Sequence, residues 1–400
     1  MASLTVPFAG VQSGAEELAA VQRVLASGWL AAGPEGMAFE QEFARFTKSR
    51  YAVCVNSGSS GLLLALKALR LPPGSHVLTS ACGFPATLAP ILHCGFTPVF
   101  VDAELPSHNF DISQAMEKTT LRGPIRAVIL AHTLGNPVNL TLLFSDMCRR
   151  RNISLIEDCC EAVGTTYYDK PVGSIGRLGV FSFYPSHQMT ALGGGGMVVC
   201  QEAKLAHRLR SLRDWGKRSD HSTAKVYQTH TQYTTPLRGE PFRYYKSYIY
   251  DTVGFNMKLP DVNAAFGRVQ LMRLQAWKER RQQLFDRILT TLKELELPHT
   301  PIQAPLNSDP NWFGFPITFR QAGLRDRFGD YLESCGVAHR PFFAGNLLRQ
   351  PAFRGLDDPA KYPVADYLMR NSLFVGVWPG LTEEQVLHLL TTLRAWNPSP

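Results

Sequence analysis

The sequence has no apolar run of the roughly 18–20 residues that a membrane-spanning helix needs. Its most apolar stretches, around Leu62–Leu71 and Met197–Cys200, are interrupted or bounded by charged residues and glycines. The amino terminus also lacks the basic and then apolar pattern of a secretory signal peptide. These absences predict a cytoplasmic protein that does not act in a membrane.

Cysteine is present, but no two cysteines have the C-x-x-C spacing that is typical of structural zinc sites. The eight cysteines are at positions 54, 82, 94, 148, 159, 160, 200 and 335. In a cytoplasmic protein such thiols are expected to stay reduced. The sequence therefore predicts no structural metal site.

Basic residues outnumber acidic ones by 41 to 33, yet they are scattered along the chain. Two basic clusters, Arg149–Arg151 and Lys278–Arg281, fall on predicted helices, where we expect solvated faces. Binding of nucleic acid is therefore not expected. The net charge of +8 suits a phosphorylated small-molecule substrate.

Strand-like and helix-like segments alternate in the first part of the chain. Short apolar runs predict strands at Tyr51–Asn56, His76–Ser80, Thr97–Asp102, Ile125–His132 and Ser154–Asp158. Helical spacing predicts helices between them, at Gly58–Leu71, Phe84–His93 and Leu140–Arg151. This alternation predicts an α/β domain with a mostly parallel sheet, whose ligands lie at the carboxyl ends of the strands.

The second part of the chain has a different pattern. Lys217–Asp251 is polar, aromatic and irregular, which predicts a long loop, and Pro260–Leu289 predicts one long helix or two. A strand at Trp312–Phe319 and helices at Gly323–Cys335 and Thr382–Trp396 follow. We predict a large domain over residues 1–260 and, over residues 261–400, the long helix and a smaller α+β domain.

Three segments at predicted strand or helix ends have residues suited to binding. Asn56–Gly61 (NSGSSG) opens a helix, where small residues and free N–H groups can hold a phosphate, although a serine there can simply cap the helix. Asp158 can pair with a positively charged ring nitrogen or cap the strand end. In Phe181–His187, serines flank a histidine that precedes the glycine run Gly193–Gly196, and this histidine is either catalytic or structural.

Taken in order, several segments resemble the DegT/StrS-type sugar aminotransferases. They read NSGSSGLLLAL, GFPATLAPILHCGFTPVFVD, LIEDCCEAVG, FSFYPSHQMTALGGGGMVV and GFNMKLPDVNAAFG, and the resemblance extends from about Pro7 to Trp396. These relatives are fold-type-I enzymes that depend on pyridoxal 5'-phosphate. The resemblance therefore implies that fold and that coenzyme.

The resemblance also assigns expected roles around the coenzyme. Asp158 is expected to pair with the pyridine nitrogen, Phe84 to stack on the ring, and Glu161 to lie near the ring hydroxyl. The residues expected to hold the phosphate are Gly58, Ser59, Ser182 and, from the other subunit, Asn256. A contribution from the second subunit implies a homodimer with shared active sites.

One residue departs from the aminotransferase pattern in a way that changes the expected reaction. His187 stands where the aminotransferases have the lysine that forms a Schiff base with the coenzyme. An imidazole has no primary amine for this bond, but it can move protons near neutral pH. The change resembles a branch of 3-dehydratases of nucleotide-linked 4-keto-6-deoxyhexoses. This resemblance implies removal of the C-3 hydroxyl with pyridoxamine 5'-phosphate, and His187 as the base.

Other segments also resemble this branch, namely AHTLGNP, the pair Cys159-Cys160, RDWG and FAGNLLRQP. One subgroup of the branch regenerates its coenzyme with an iron–sulfur cluster, for which three cysteines are expected after RDWG. Lys217–Asp251 has no cysteine, so we expect L-glutamate to restore the amine form instead. The rest of the sequence nevertheless looks more like the cluster-containing subgroup.

Two alternatives to the dehydratase remain. The same coenzyme and histidine could serve another reaction, for instance in antibiotic assembly, or the chain could be a retired member that only binds a nucleotide-sugar or a partner protein. Gly194 stands where the family usually has a glutamate, so the resemblance leaves open whether the substrate contacts or the activity itself differ here. The substrate could be touched by Arg340, Arg349 and Tyr244–Tyr245. The interpretation we favour for them is surface ion pairing or packing.

Overall fold

A seven-stranded sheet forms the centre of the larger part of the molecule. The computed structural model describes residues 4–121, 125–140, 142–218, 233–236, 240–245, 248–295 and 299–397. In spatial order, the strands are β1 (Tyr51–Val55), β9 (Gly196–Cys200), β8 (Leu178–Ser182), β5 (Ser154–Asp158), β4 (Ile125–Ala131), β2 (His76–Ser80) and β3 (Thr97–Val101). Five neighbouring strands run parallel and β9 alone is antiparallel to its neighbours. The prediction of a mostly parallel sheet is confirmed.

The central sheet is buried on both faces, which explains its continuous apolar strands. Along β5, Leu155 faces one buried cluster and Ile156 the other. Along β4, Val128 and Ile129 are divided in the same way. Alternating side chains point to opposite faces of a strand, so each apolar run supplies two cores.

Helices cover these faces and the carboxyl-terminal part of the chain. They are α1 (Ala15–Ser27), α2 (Pro34–Phe46), α3 (Gly58–Leu69), α4 (Pro85–His93), α5 (Ile112–Leu121), α6 (Leu142–Arg150), α7 (Ala203–Arg213), α8 (Asp261–Glu294), α9 (Leu324–Ser334), α10 (Pro363–Asn371) and α11 (Glu383–Ala395). Asp261, at the start of α8, accepts hydrogen bonds from the backbone N–H groups of Gly33 and Gly36, at 2.7 and 2.9 Å. The start of α8 is thereby attached to the start of α2. None of the described helices is both long and apolar enough to cross a membrane.

A second, antiparallel sheet lies in the carboxyl-terminal part. It has the order β12 (His299–Thr300), β14 (Gly314–Phe319), β16 (Ser372–Gly376) and β15 (His339–Pro341). Its core includes Phe315 and Phe319 of β14 and side chains of α8 such as Phe285. Val6, close to the amino terminus, forms an isolated parallel β-bridge with Val337. The division at residue 260 stays a prediction.

Two further small sheets lie outside these. β6 (Thr166–Tyr167) pairs with β7 (Lys170–Pro171) and with β13 (Ser308–Asp309). β10 (Tyr233–Pro236) pairs with β11 (Arg243–Tyr245). The prediction of a loop throughout residues 217–251 is therefore wrong for these strands, and residues 219–232, 237–239, 246 and 247 of it lie outside the described part.

The predicted solvated basic faces are correct for one cluster and wrong for the other. Arg149 and Arg150 are exposed at the end of α6. In contrast, Lys278 and Arg281 of α8 are 7% and 2% exposed. Both side chains point into the protein because backbone carbonyl groups there accept their hydrogen bonds. Helical spacing alone does not reveal such acceptors.

Candidate active site

A cavity of about 650 Å³ lies at the carboxyl ends of the parallel strands. Its wall includes most of the residues that the sequence marked as binding residues, namely Gly58, Ser59, Phe84, Asp158, Glu161, Ser182, His187, Gly194 and Arg340. They come from separate segments between residues 58 and 340, which only the folded chain brings together. This cavity is the candidate active site.

Asp158 is the last residue of β5 and is 6% exposed. One carboxylate oxygen accepts a hydrogen bond of 2.7 Å from the Thr87 hydroxyl, and the other accepts one of 3.1 Å from the Cys160 backbone N–H. These two donors fix the orientation of the carboxylate at the cavity wall. Such a buried carboxylate is suited to pair with a positively charged ring nitrogen.

Glu161 lies three residues further on, in the same wall. One of its carboxyl oxygens accepts a hydrogen bond of 3.0 Å from the Leu134 N–H. Burial raises the pKa of Glu161 to about 8; the Leu134 N–H opposes this effect and the nearby Asp158 charge adds to it. Near pH 7 Glu161 is therefore mostly a neutral acid that can donate a hydrogen bond.

The amino terminus of α3 faces the same cavity. Ser57 caps this helix, because its hydroxyl oxygen accepts a hydrogen bond of 3.1 Å from the Ser60 N–H. The capping interpretation is thus correct for Ser57. A side chain at Gly58 would bring its Cβ within 2.7 Å of Cys160 Sγ and 2.8 Å of Ser182 Cβ. The bare backbone at Gly58 leaves the first N–H groups of the helix accessible from the cavity, as anion binding requires.

The loop between β8 and β9 holds His187. Its backbone N–H donates a hydrogen bond of 2.9 Å to the Tyr184 carbonyl, and its ring packs edge-on against Phe313 with 5.5 Å between the ring centroids. Nδ1 is buried and has no hydrogen-bond partner among the described residues. The side chain lines the cavity, and because Nδ1 is buried, we expect a ligand to reach the ring at Nε2.

The surroundings of His187 favour its neutral form. Burial lowers the pKa of His187 to about 4; the Ser182 backbone partly opposes this shift and the positive charge of Arg281 reinforces it. A neutral imidazole at pH 7 has a lone pair that can accept a proton. The arrangement is therefore suited to a general base.

The rim of the cavity adds an aromatic ring and a cation. Phe84, at the start of α4, is 57% exposed, so its ring is accessible to a flat ligand. Arg340 of β15 lies over the ring of Phe8, with 5.1 Å between the guanidinium carbon and the ring centroid. Gly194 is also in the wall, and its ideal Cβ would meet only the Asn56 carbonyl oxygen, at 3.8 Å.

Asn256 is the one expected coenzyme contact that does not line the cavity. Its backbone forms a bridge with Asp214 of the RDWG turn. Gly216 of this turn approaches so closely that a Cβ there would lie 1.7 Å from the Thr252 carbonyl oxygen. The turn thus fixes the segment that contains Asn256, and its role in a second subunit stays a prediction.

Arg349 and Tyr244 are also outside the cavity wall. Arg349 forms an ion pair with Asp366, so the surface-pairing interpretation is correct for it. Tyr244 is 40% exposed and belongs, like Tyr245, to β11.

Sequence reasoning missed several residues of the site. They are Thr87, His132, Cys160, Tyr184 and Phe313, which all line the cavity. Thr87 had a signal, since it lies three residues after Phe84 and so near it on α4. Phe313 had none, because its contact with His187 joins segments that are far apart in the sequence.

The donor set fits pyridoxal 5'-phosphate or its amine form. The cavity combines a held carboxylate at Asp158, an accessible ring at Phe84 and a helix amino terminus at Gly58, where a Cβ would fill the space. A phosphorylated, positively charged aromatic ring needs these three features.

One buried group, His132, Glu157 and Cys159, has the composition of a metal site among the described residues. Its members are already engaged. His132 Nε2 and Glu157 form a hydrogen bond of 3.0 Å, and His132 Nδ1 accepts one of 3.0 Å from the Val138 N–H. Glu157 also accepts hydrogen bonds from the backbone N–H groups of Gly173 and Ile175. The cluster is explained as a hydrogen-bond network beneath Asp158.

Comparison with known proteins agrees with this fold and donor set. Residues 11–394 match the DegT/DnrJ/EryC1/StrS aminotransferase family. The chain is 36% identical to lipopolysaccharide biosynthesis protein RfbH of Salmonella typhimurium, over 96% of this chain and 90% of that protein. It is 37% identical to a dTDP-4-dehydro-2,6-dideoxy-D-glucose 3-dehydratase of Saccharopolyspora spinosa, over 91% of this chain and 80% of that protein.

A solved structure shares the fold over nearly the whole chain. It is the E. coli GDP-4-keto-6-deoxy-D-mannose-3-dehydratase with bound hydrated pyridoxal phosphate, with a TM-score of 0.85 and 26% identity. The match covers 98% of this chain and 100% of that one. The predicted aminotransferase-type fold is confirmed.

Proposed function

Because the chain belongs to the DegT/DnrJ/EryC1/StrS aminotransferase family, we propose that it removes the C-3 hydroxyl of a nucleotide-linked 4-keto-6-deoxyhexose with pyridoxamine 5'-phosphate. The proposal makes it a 3-dehydratase and gives His187 the role of general base. The 3-dehydratases among its relatives support the substrate class.

One observation carries the proposal: an imidazole stands in a cavity that otherwise has what the coenzyme needs. His187 lines this cavity together with Asp158 and Glu161. An imidazole cannot form a Schiff base, so this residue cannot hold the coenzyme covalently as an aminotransferase lysine does. It can still accept and return a proton.

Five residues of this chain would hold the coenzyme. Asp158, oriented by Thr87, would keep the ring nitrogen protonated. Glu161, neutral near pH 7, would donate a hydrogen bond to the ring hydroxyl. The N–H groups at Gly58 and Ser59 would bind the phosphate, with the Ser182 hydroxyl beside them. When bound, pyridoxamine 5'-phosphate supplies an amine for the 4-keto group and a ring that takes up negative charge.

His187 would then move one proton. Its neutral form would take up at Nε2 a proton from the methylene carbon of the coenzyme, whose bonding electrons would serve to break the C-3–O bond. The protonated imidazole would give that proton to the leaving hydroxyl, so that water departs. A lysine amine in this position would instead favour exchange of an amino group. The neutral state of His187 at pH 7 supports this use, because only the neutral ring can begin as a base.

The chain itself supports glutamate as the source of the next amino group. Residues 217–251 contain no cysteine, so this chain lacks the cysteines expected there for an iron–sulfur cluster. Transamination from L-glutamate needs no such cluster, and it would restore the amine form of the coenzyme after each turnover.

We also propose a homodimer with shared sites. Asn256 lies outside the cavity of its own subunit, in a segment fixed by the RDWG turn. Several large apolar side chains near this segment are exposed, including Trp215 at 44%, Tyr250 at 51% and Val253 at 92%. Such exposed apolar groups are typical of a surface that a partner covers.

A mass measurement tests the proposed function. The purified protein is incubated with coenzyme, L-glutamate and a panel of GDP-, dTDP- and CDP-linked 4-keto-6-deoxyhexoses. We expect a product that has lost the C-3 oxygen while keeping a ketone. A 4-amino sugar would show an aminotransferase and contradict the proposal. A parallel reaction with a flavin reductase in place of glutamate tests the source of electrons.

Both alternatives would leave the sugars unchanged in this assay, and binding of the nucleotide-sugar and of the coenzyme separates them. A retired member would bind the nucleotide-sugar without changing it, and the intact arrangement of Asp158, Phe84 and Gly58 argues against retirement. A different reaction on another amine or ketone would leave the whole panel unchanged while coenzyme binding persists.

A further inference from the structure

Arg281 is a buried cation directly behind the candidate base. It lies in the middle of α8, is 2% exposed and forms no ion pair with any carboxylate among the described residues. Its guanidinium donates hydrogen bonds to two backbone carbonyls, those of His187 at 3.3 Å and Trp312 at 3.2 Å. A buried charge is costly without such compensation, so the position of Arg281 requires an explanation.

The two carbonyls belong to His187 itself and to the residue that precedes Phe313. Trp312 is held by α8 at three points, because its indole N–H also donates to Gln282 at 3.1 Å and its ring stacks on Phe285 with 4.0 Å between centroids. The next residue, Phe313, packs against the His187 ring. Arg281 therefore fixes both the backbone of His187 and the segment whose side chain contacts its ring.

A small crevice behind His187 connects the same residues. His187, Arg281, Gln188 and Gln12 line it, and it has room for about one water molecule. Each of the four has one buried polar atom without a hydrogen-bond partner among the described residues, namely His187 Nδ1, Arg281 Nε, Gln188 Oε1 and Gln12 Oε1. The amide of Gln188 is oriented by hydrogen bonds from its nitrogen to the carbonyls of Glu161 and Asn311.

These four atoms match the hydrogen-bonding capacity of a single water molecule, which is two bonds donated and two accepted. Arg281 Nε is a donor, and the two glutamine Oε1 atoms are acceptors. A water molecule accepts two hydrogen bonds and donates two, so the set is complete when His187 Nδ1 is the second donor. This condition places the imidazole proton on Nδ1 and leaves a lone pair on Nε2.

We propose that Arg281 is the positioning residue of His187, and that with one internal water molecule it holds the imidazole as the Nδ1–H tautomer with Nε2 open to the cavity. Arg281 also presents a positive charge there that opposes a second positive charge on the ring. The inference rests on the proposed function only in naming His187 as the base.

Other ionisable groups share the cavity wall with His187. They are His132, Asp158, Cys160, Glu161, Tyr184 and Arg340. The negative charge of Asp158 would favour a protonated imidazole, whereas the positive charge of Arg281 opposes one. The two charges therefore act on the His187 pKa in opposite directions.

The test observes the imidazole itself. Protein labelled with ¹⁵N-histidine is studied by NMR in its pyridoxal-phosphate form, with His187→Asn used to assign the signal. We expect Nδ1 of His187 to be protonated and Nε2 unprotonated at pH 7. The opposite tautomer would overturn the proposal without any further variant.

Two variants and a matched control separate positioning from stability. In Arg281→Met we expect the His187 pKa to rise by about one pH unit and the tautomers to mix. In Arg281→Lys, which retains the charge, we expect most of the pKa shift to be reversed. The control is Lys278→Met, which removes a buried cation one turn away whose hydrogen bonds go to Gly164 and Asp309 instead. It should lower the melting temperature and leave the His187 signal unchanged.

Activity supplies the second readout. With an active sugar substrate, Arg281→Met should lower kcat roughly 10- to 100-fold at a nearly constant KM. An unchanged His187 pKa and tautomer in Arg281→Met would overturn the proposal. If Arg281→Met does not fold, the wild-type tautomer and Arg281→Lys decide it. If no sugar is dehydrated but the NMR results are as expected, the proposed function fails and the positioning role stands.

Discussion

The Thr87 hydroxyl donates a 2.7 Å hydrogen bond to the Asp158 carboxylate, and so connects helix α4 to the end of strand β5. Both side chains are buried, at 8% and 6% exposure. The bond orients the carboxylate that would pair with the coenzyme ring. The residue that positions this carboxylate thus comes from the helix that also presents Phe84.

Removing this donor should weaken coenzyme binding. Thr87→Val keeps the shape of the side chain but leaves a buried oxygen of Asp158 without its partner, which costs about 1–3 kcal/mol. We expect the dissociation constant of pyridoxal phosphate to rise about tenfold or more. The measurement is an absorbance titration of the apoprotein. Thr87→Ser is the control, since it retains the hydroxyl, and wild-type affinity in Thr87→Val would contradict the role of this bond.

The protonation of Glu161 should appear in the pH dependence of coenzyme binding. Burial raises the pKa of Glu161 to about 8, so the group is neutral below that pH and negatively charged above it. The affinity should therefore fall as the pH rises through about 8, because the acid loses its proton and can no longer donate a hydrogen bond. In Glu161→Gln this fall should disappear, since the amide stays neutral.

Glu104→Gln provides the matched control for this titration. Burial raises the pKa of Glu104 too, and its carboxyl accepts a hydrogen bond from Ser107, but it does not line the cavity. The pH dependence of coenzyme binding should be the same as in the wild type. A Glu161→Gln profile that still falls through pH 8 would show that another group is responsible.

Acid should destabilise the protein through His108. This histidine is 2% exposed, with Nδ1 at 2.9 Å from the Pro106 carbonyl and Nε2 at 2.7 Å from the Thr318 hydroxyl. Burial lowers the pKa of His108 to about 4, with the Pro106 carbonyl partly opposing. The folded state therefore favours the neutral ring, so the stabilisation is complete above pH ~6.5 and is lost as the pH falls toward 4.

The expected loss is on the order of 3 kcal/mol between those limits. Melting temperatures measured from pH 7 to pH 4.5 should fall less steeply in His108→Gln than in the wild type, even though this variant starts from a lower stability at pH 7. His93→Gln, at an exposed position of α4, should leave the slope unchanged. Equal slopes in His108→Gln and the wild type would contradict this account.

The sequence predicts the sheet well because its signal is local. β4 (IRAVILA) is apolar apart from the exposed Arg126, since both of its faces are otherwise buried, and short runs of this kind mark the parallel strands. Asp158 could be chosen as a site residue because it follows such a run and parallel strands present their ends at one edge. The antiparallel position of β9 could not be predicted, since pairing between distant segments has no local pattern.

The supporting residues of the site could not be predicted for a similar reason. Arg281 and Lys278 have the spacing of an exposed helical face, yet the carbonyls they bind come from segments up to about a hundred residues away in the chain. A cation can be buried at those positions only because hydrogen-bond acceptors lie beside it, and the tertiary structure alone brings them there. The expected coenzyme contacts followed recognisable motifs, whereas supporting residues such as Arg281 did not.

The most direct test of the central claim is the rate of C-3 deoxygenation in a single turnover, measured with enzyme preloaded with pyridoxamine 5'-phosphate. In His187→Asn we expect this rate to fall by about 10²–10⁴-fold, the usual contribution of a general base, while the coenzyme still binds. A His187→Asn enzyme that removes the hydroxyl at a rate close to that of the wild type would contradict the account.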